Sequence, residues 1–161
     1  MPDETWVVDT SSLIWVKQSL PLKECARVFR GLDPYVTAGR FALHRKVIDE
    51  LKRFAGPSDP PLAFALRHQK VSASLPEFPE ALEFVLKEVP RVLDPDKISG
   101  AEEADPYVLA LALQIQQDGG IVTVLNEERR DRPDKMSLTT ACGVLRLVSL
   151  PIATFIERQG I

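Results

Sequence analysis

The sequence predicts an α/β fold, a three-layer α/β/α sandwich with a mostly parallel central sheet. Short runs of β-favouring residues recur along the chain, stretches of helical periodicity separate them, and there is no internal repeat. Strands that alternate with helices point to a parallel sheet covered on both faces. Ligand sites in such sheets lie beyond the carboxyl ends of the strands.

Residues 5–9 (Thr-Trp-Val-Val-Asp) read as the first strand, ended by Thr10, Ser11 and Ser12, where a helix can start. Pro21 interrupts, and the next helix, over about 22–30, is expected to stop at Gly31, because glycine accepts the left-handed conformation of helix ends. Phe41, Ala42 and Leu43 form a weak second strand. The helix over 45–54 places Val47, Ile48, Leu51 and Phe54 on one side, with Glu50 next to that stripe. Residues 56–61 are a loop by composition, and 62–72 and 78–89 read as two amphipathic helices, the second with Pro79 near its start and Pro90 past its end. Residues 107–117 are apolar on most sides, as expected of a buried central helix, with Asp105 at its mouth and Gly119-Gly120 behind it. Residues 121–125 form a buried strand and 126–138 a charged loop. A helical turn near 139–143 leads into a last strand over 145–150, and Pro151 opens a terminal helix.

A chain of 161 residues is expected to form one domain, 1–161. Its 45% apolar and 27% charged residues argue against disorder. No window approaches the roughly 20 apolar residues of a membrane span. Met1-Pro2-Asp3-Glu4 lacks the basic and apolar start of a secretion signal, so a cytoplasmic protein without a membrane partner is expected. Cys25 and Cys142 have no metal-type spacing and read as free buried thiols. His44 and His68 are too few and too far apart for a catalytic pair. There is no G-x-S-x-G, no G-x-x-x-x-G-K and no H-E-x-x-H, which argues against a nucleophile-elbow hydrolase, a P-loop protein and a zincin.

Acids carry the chemical signal. Asp9 closes the run Trp6-Val7-Val8, Glu50 sits in Val47-Ile48-Asp49-Glu50-Leu51, Asp105 precedes Pro106-Tyr107, and Glu127 and Glu128 follow the strand ending at Leu125. Each has an ordinary alternative. Asp9 and Asp105 could serve helix starts, Glu50 could be a solvated helix acid, and Glu127 and Glu128 could be loop charges facing Arg129 and Arg130. Their joint placement at the ends of apolar elements is what suggests a site. Carboxylates gathered from distant elements repel unless a cation joins them, and hard oxygen ligands favour Mg²⁺ or Mn²⁺. The net charge of −3 does not exclude a nucleic acid, since 23 acidic residues less the four site acids leaves 19 against 20 basic ones. The basic groups beside candidate acids, notably Lys46, Arg53, Arg129 and Arg130, are the ones to consider as phosphate contacts.

On these motifs the chain resembles the PIN-domain family of metal-dependent ribonucleases, and within it a small PIN-like group of bacterial and archaeal proteins related to ribonuclease toxins. Val7-Val8-Asp9-Thr10-Ser11 is similar to the family's opening strand, and Val47-Ile48-Asp49-Glu50-Leu51 to its V-x-x-E-L helix. Residues 104–112 (Ala-Asp-Pro-Tyr-Val-Leu-Ala-Leu-Ala) resemble its A-D-x-x-[IL]-A-x-A helix, and 135–148 its closing stretch. The order and spacing of the pieces give the match its weight.

The resemblance implies an endoribonuclease that hydrolyses RNA phosphodiesters at a Mg²⁺ or Mn²⁺ site with Asp9, Glu50, Asp105 and Glu128 as ligands, supported by Thr10, Ser11, Asn126 and Glu127. It also implies a possible toxin role with a small antitoxin partner, and a homodimer using residues 22–29 or the 62–89 helices. At the fourth position the chain departs from the family's Thr/Ser-x-Asp: the register gives Asn126-Glu127-Glu128, or else Thr123 takes the Thr position and Leu125 the acidic one, leaving three ligands. That departure supports a second class, a non-catalytic PIN-like module that binds RNA or protein through a degraded metal site. A third, a phosphoacceptor domain, is disfavoured because no Lys follows a late strand in the expected place.

Overall fold

The computed structural model describes residues 3–96 and 103–161; Met1 and Pro2, with which the N-terminal segment begins, and residues 97–102, including the Glu102 that opens the acidic run before Asp105, lie outside the described residues. Four strands, β1 (Glu4–Val8), β2 (Phe41–Ala42), β3 (Ile121–Leu125) and β4 (Val148–Leu150), form an all-parallel sheet in the order β2-β1-β3-β4. Trp6 and Val7 of β1 pair with Phe41 and Ala42 on one side, and the whole of β1 pairs with β3 on the other. A parallel sheet covered on both faces needs strands that are apolar throughout. Val7, Val8, Val124 and Leu125 are accordingly fully buried, each side chain contributing roughly 1.5–3 kcal/mol.

The first crossover carries α1 (Thr10–Ser19) and α2 (Leu22–Thr37). The second carries α3 (Arg45–Phe54), α4 (Pro60–Arg67), α5 (Gln69–Ala73), α6 (Pro79–Glu88), a 3-10 turn and α7 (Asp105–Gln117). Then α8 (Leu138–Leu145) joins β3 to β4, and α9 (Ile152–Gln159) follows. The chain moves from β1 to β2 in one direction and from β2 past β1 to β3 and β4 in the other, so right-handed crossovers place the covering helices on opposite faces. On one face α7 packs against β1 and β3 and meets α6 and α8. On the other, Trp6 lies edge-on to Tyr35 of α2 at 6.2 Å and to Phe155 of α9 at 4.6 Å. The reversal falls between β1 and β3, and the crevice at their carboxyl ends is where such sheets bind ligands.

Several boundaries differ from the sequence expectation for identifiable reasons. Instead of stopping at Gly31, α2 runs on to Thr37. A Cβ on Gly31 would lie 2.5 Å from Cγ2 of Ile161, so this glycine admits the chain's last side chain. The helix ends at Gly39, with φ +74°, where Gly39 N donates to Val36 O at 3.0 Å and Arg40 N to Tyr35 O at 2.9 Å, the paired bonds of a Schellman motif. Phe54, expected on the buried side of α3, is 72% exposed in the last turn. The helix expected over 62–72 is broken at His68 into α4 and α5, where His68 bonds Asp33 at 2.6 Å. The turn expected at 139–143 is the full helix α8, capped by Ser137, so Leu145 belongs to it and β4 starts only at Val148.

Because the Gly39 backbone is left-handed, Gly39→Ala is expected to cost about 1 kcal/mol. A urea midpoint that falls with an unchanged m-value would agree; an unchanged midpoint would contradict the assignment of Gly39 as the helix stop.

Candidate metal centre

Strand β1 delivers Asp9 to the crevice. Extended backbone (φ −89°, ψ 155°) makes it the N-cap of α1, and its Oδ2 accepts from Ser11 N at 3.1 Å and Ser11 Oγ at 2.5 Å. Its backbone N donates to Leu125 O at 2.8 Å, tying the tips of β1 and β3 together. Helix α3 is started by His44, whose Nδ1 accepts from Lys46 N at 3.1 Å, and it buries Val47, Ile48 and Leu51, which turns Glu50 inward. Glu50 is 7% exposed and its Oε1 accepts from Thr10 Oγ1 at 2.8 Å. Asp105 opens α7 and is 8% exposed; the cap residue is Ala104, so Asp105 does not cap the helix.

One oxygen from each of Asp9, Glu50 and Asp105 lies within 4.8 Å of the others. Opposite ligands of an octahedral Mg²⁺ stand about 4 Å apart, so an ion could be shared after small side-chain shifts or through water. The donor set fits a hard divalent cation. Asp9 Oδ1 adds a second fit: it is buried and accepts no hydrogen bond among the described residues, in a protein interior where orphaned carboxylate oxygens are costly. Thr10 and Ser11 are committed to orienting Glu50 and Asp9, the role expected of supports to ligands.

The segment after β3 separates its three polar candidates. Asn126 is fully buried and structural: its Nδ2 donates to Ser149 Oγ, and its Oδ1 accepts from Glu128 N at 3.0 Å and Thr139 Oγ1 at 3.3 Å. Glu127 turns toward α1 and α9, accepting from Ser12 Oγ at 2.5 Å and Ile152 N at 3.2 Å, and so joins the two helix starts. Glu128 faces the acids but stands one step out, with Lys135 between it and Asp105. Thr123 donates to Glu4 Oε1 at 2.5 Å and Leu125 is buried in the core.

Lys135 is the site residue that sequence reasoning missed. Its Nζ lies 3.0 Å from Asp105 Oδ2 and 3.0 Å from Glu128 Oε1, and the residue is 9% exposed. A lone lysine inside a charged loop carries no motif; only the fold of that loop reveals it.

Crowding shows in the protonation of these groups. Burial pushes Asp9 up to about 7, opposed by the Ser11 hydroxyl and reinforced by Glu128 and Glu50. Asp105 is raised by burial and by the charges of Asp9 and Glu128, while Lys135 pulls it down. Burial works against the charge on Lys135, but Asp105 and Glu128 outweigh it and hold the lysine protonated above its usual range. Cys25 and Cys142 are buried free thiols, and burial pushes Cys142 up to about 12.

Between pH 4 and 7 the folded, metal-free chain retains a proton on Asp9 that the unfolded chain has released, so this group's contribution to stability is lost as the pH rises through about 7. Asn keeps the capping oxygen without the charge. In EDTA, the melting temperature of Asp9→Asn relative to the parent is therefore expected to climb between pH 5 and pH 8; a difference that is flat or falls would contradict the buried, crowded carboxylate.

Comparison of the chain with family models, with curated proteins and with solved structures returns no match.

Proposed function

We propose that the chain is a metal-dependent endoribonuclease with Asp9, Glu50 and Asp105 holding a Mg²⁺ or Mn²⁺ ion and Glu128 flanking them. The observation that carries the reading is the convergence of three carboxylates from the tip of β1, α3 and α7 at the sheet's switch point, together with the buried Asp9 Oδ1, unpartnered among the described residues. The resemblance to PIN-domain ribonucleases supports RNA as the substrate. When bound, such an ion acidifies water and stabilises charge on phosphoryl oxygens. The chain's residues do the rest. Ser11 fixes Asp9 Oδ2 so that Oδ1 is presented, Thr10 fixes Glu50, and the exposed Arg129 and Arg130 beside Glu128 supply positive charge for the RNA backbone. In a toxin role an antitoxin would cover this carboxyl edge, and Leu22, 74% exposed at the start of α2, supports a homodimer contact there.

The bonds of Lys135 to Asp105 and Glu128 favour a second reading, a non-catalytic RNA- or protein-binding module whose acids are neutralised internally. Metal binding and cleavage separate the two. The nuclease reading predicts that the chain binds Mn²⁺ and cleaves RNA, that EDTA abolishes cleavage, and that Asp9→Asn or Asp105→Asn lowers it at least about 100-fold while the fold persists. Loss of the Thr10 support in Thr10→Val is expected to weaken Mn²⁺ about 10–100-fold. Cleavage that survives both aspartate substitutions would remove the enzyme reading.

A further inference from the structure

We propose that Lys135 stands in the position of a second divalent ion, so that the centre loads one ion and the lysine ammonium supplies the other positive charge facing the phosphate. This rests on the metal reading above. Phosphodiester-hydrolysing sites with two ions hold them about 3.5–4 Å apart, and the pair of charges clamps the reacting phosphoryl group. Here two carboxylate oxygens on one flank, Asp105 Oδ2 and Glu128 Oε1, are already taken by Lys135 at 3.0 Å each. Neither bond uses Asp9, whose Oδ1 stays open to an ion. Asp105 therefore belongs both to the three-acid cluster and to the pair of acids that hold the ammonium.

The lysine is delivered by a tied loop. Arg132 N donates to Lys135 O at 2.8 Å and Lys135 N to Arg132 O at 3.2 Å, Met136 N donates to Arg91 O at 2.7 Å, and Asp131 accepts from Ser137 N at 2.9 Å. These bonds flank Lys135 on both sides, so its position is built before any ligand arrives. An ammonium has three donors, and with Asp105 and Glu128 taking two, one is left for a phosphate oxygen. In the hydrolysis the water oxygen bonds to phosphorus, the bond to the leaving ribose oxygen breaks with its electron pair, and water's proton returns to that oxygen through solvent. Lys135 keeps its protons and acts by charge.

The test counts Mn²⁺ bound per chain, by calorimetry and by the electron paramagnetic resonance of free Mn²⁺, beside RNA cleavage. The full chain and Lys135→Arg are expected to bind one ion. Lys135→Met is expected to bind two, because Asp105 and Glu128 are released, and to cleave about 100-fold more slowly only at Mn²⁺ concentrations that leave the second position empty. Should Lys135→Met not fold, Lys135→Leu, which likewise offers neither charge nor hydrogen-bond donor, gives the same count. Two ions in the full chain, or a single ion in the uncharged variant, would overturn the proposal while leaving the nuclease reading in place. No ion in the full chain would instead overturn the nuclease reading.

Discussion

Carboxylate crowding at the carboxyl edge of the sheet is the constraint around which the structure is arranged. Asp9, Glu50, Asp105 and Glu128 come from four separate segments, and the first three are buried with oxygens within 4.8 Å of one another. Like charges at that separation in a low dielectric repel strongly, and burial already favours the neutral forms of Asp9 and Asp105. The chain relieves part of this with one ammonium and with hydroxyls from Thr10 and Ser11. Asp9 Oδ1 is left without relief among the described residues.

The fold makes the convergence possible. β1 is central, β3 pairs with it along its full length, and the chain's direction across the sheet reverses between them, which opens a crevice at their carboxyl ends. Glu50 reaches that crevice because α3 buries Val47, Ile48 and Leu51, and Asp105 because α7 lies across β1 and β3. The apolar bulk of Val7, Val8, Leu109 and Leu125 holds the frame against the local repulsion. The crowded acids of the pocket are therefore held at a cost in stability.

Much of this was legible in the sequence. The apolar runs around Val7 and Val124, the stripe Val47, Ile48, Leu51 and the continuous apolar helix behind Asp105 follow from periodicity, and they placed Asp9 and Asp105 at element ends, whereas Glu50, also expected at one, lies inside α3. What periodicity could not show was tertiary. Gly31 reads as a helix stop until Ile161 is seen lying against it. Glu127 and Glu128 are adjacent acids in one loop, and only the meeting of α1, α9 and that loop turns the first toward Ser12 and the second toward Lys135. Lys135 itself follows a proline and an aspartate in a charged stretch, with no spacing to mark it.

The most direct measurement is a crystal structure grown in Mn²⁺, read by anomalous scattering. The account predicts a peak within coordination distance of Asp9 Oδ1, between the carboxylates of Glu50 and Asp105. Anomalous density absent from that position at saturating Mn²⁺, with the three carboxylates still gathered, would contradict it.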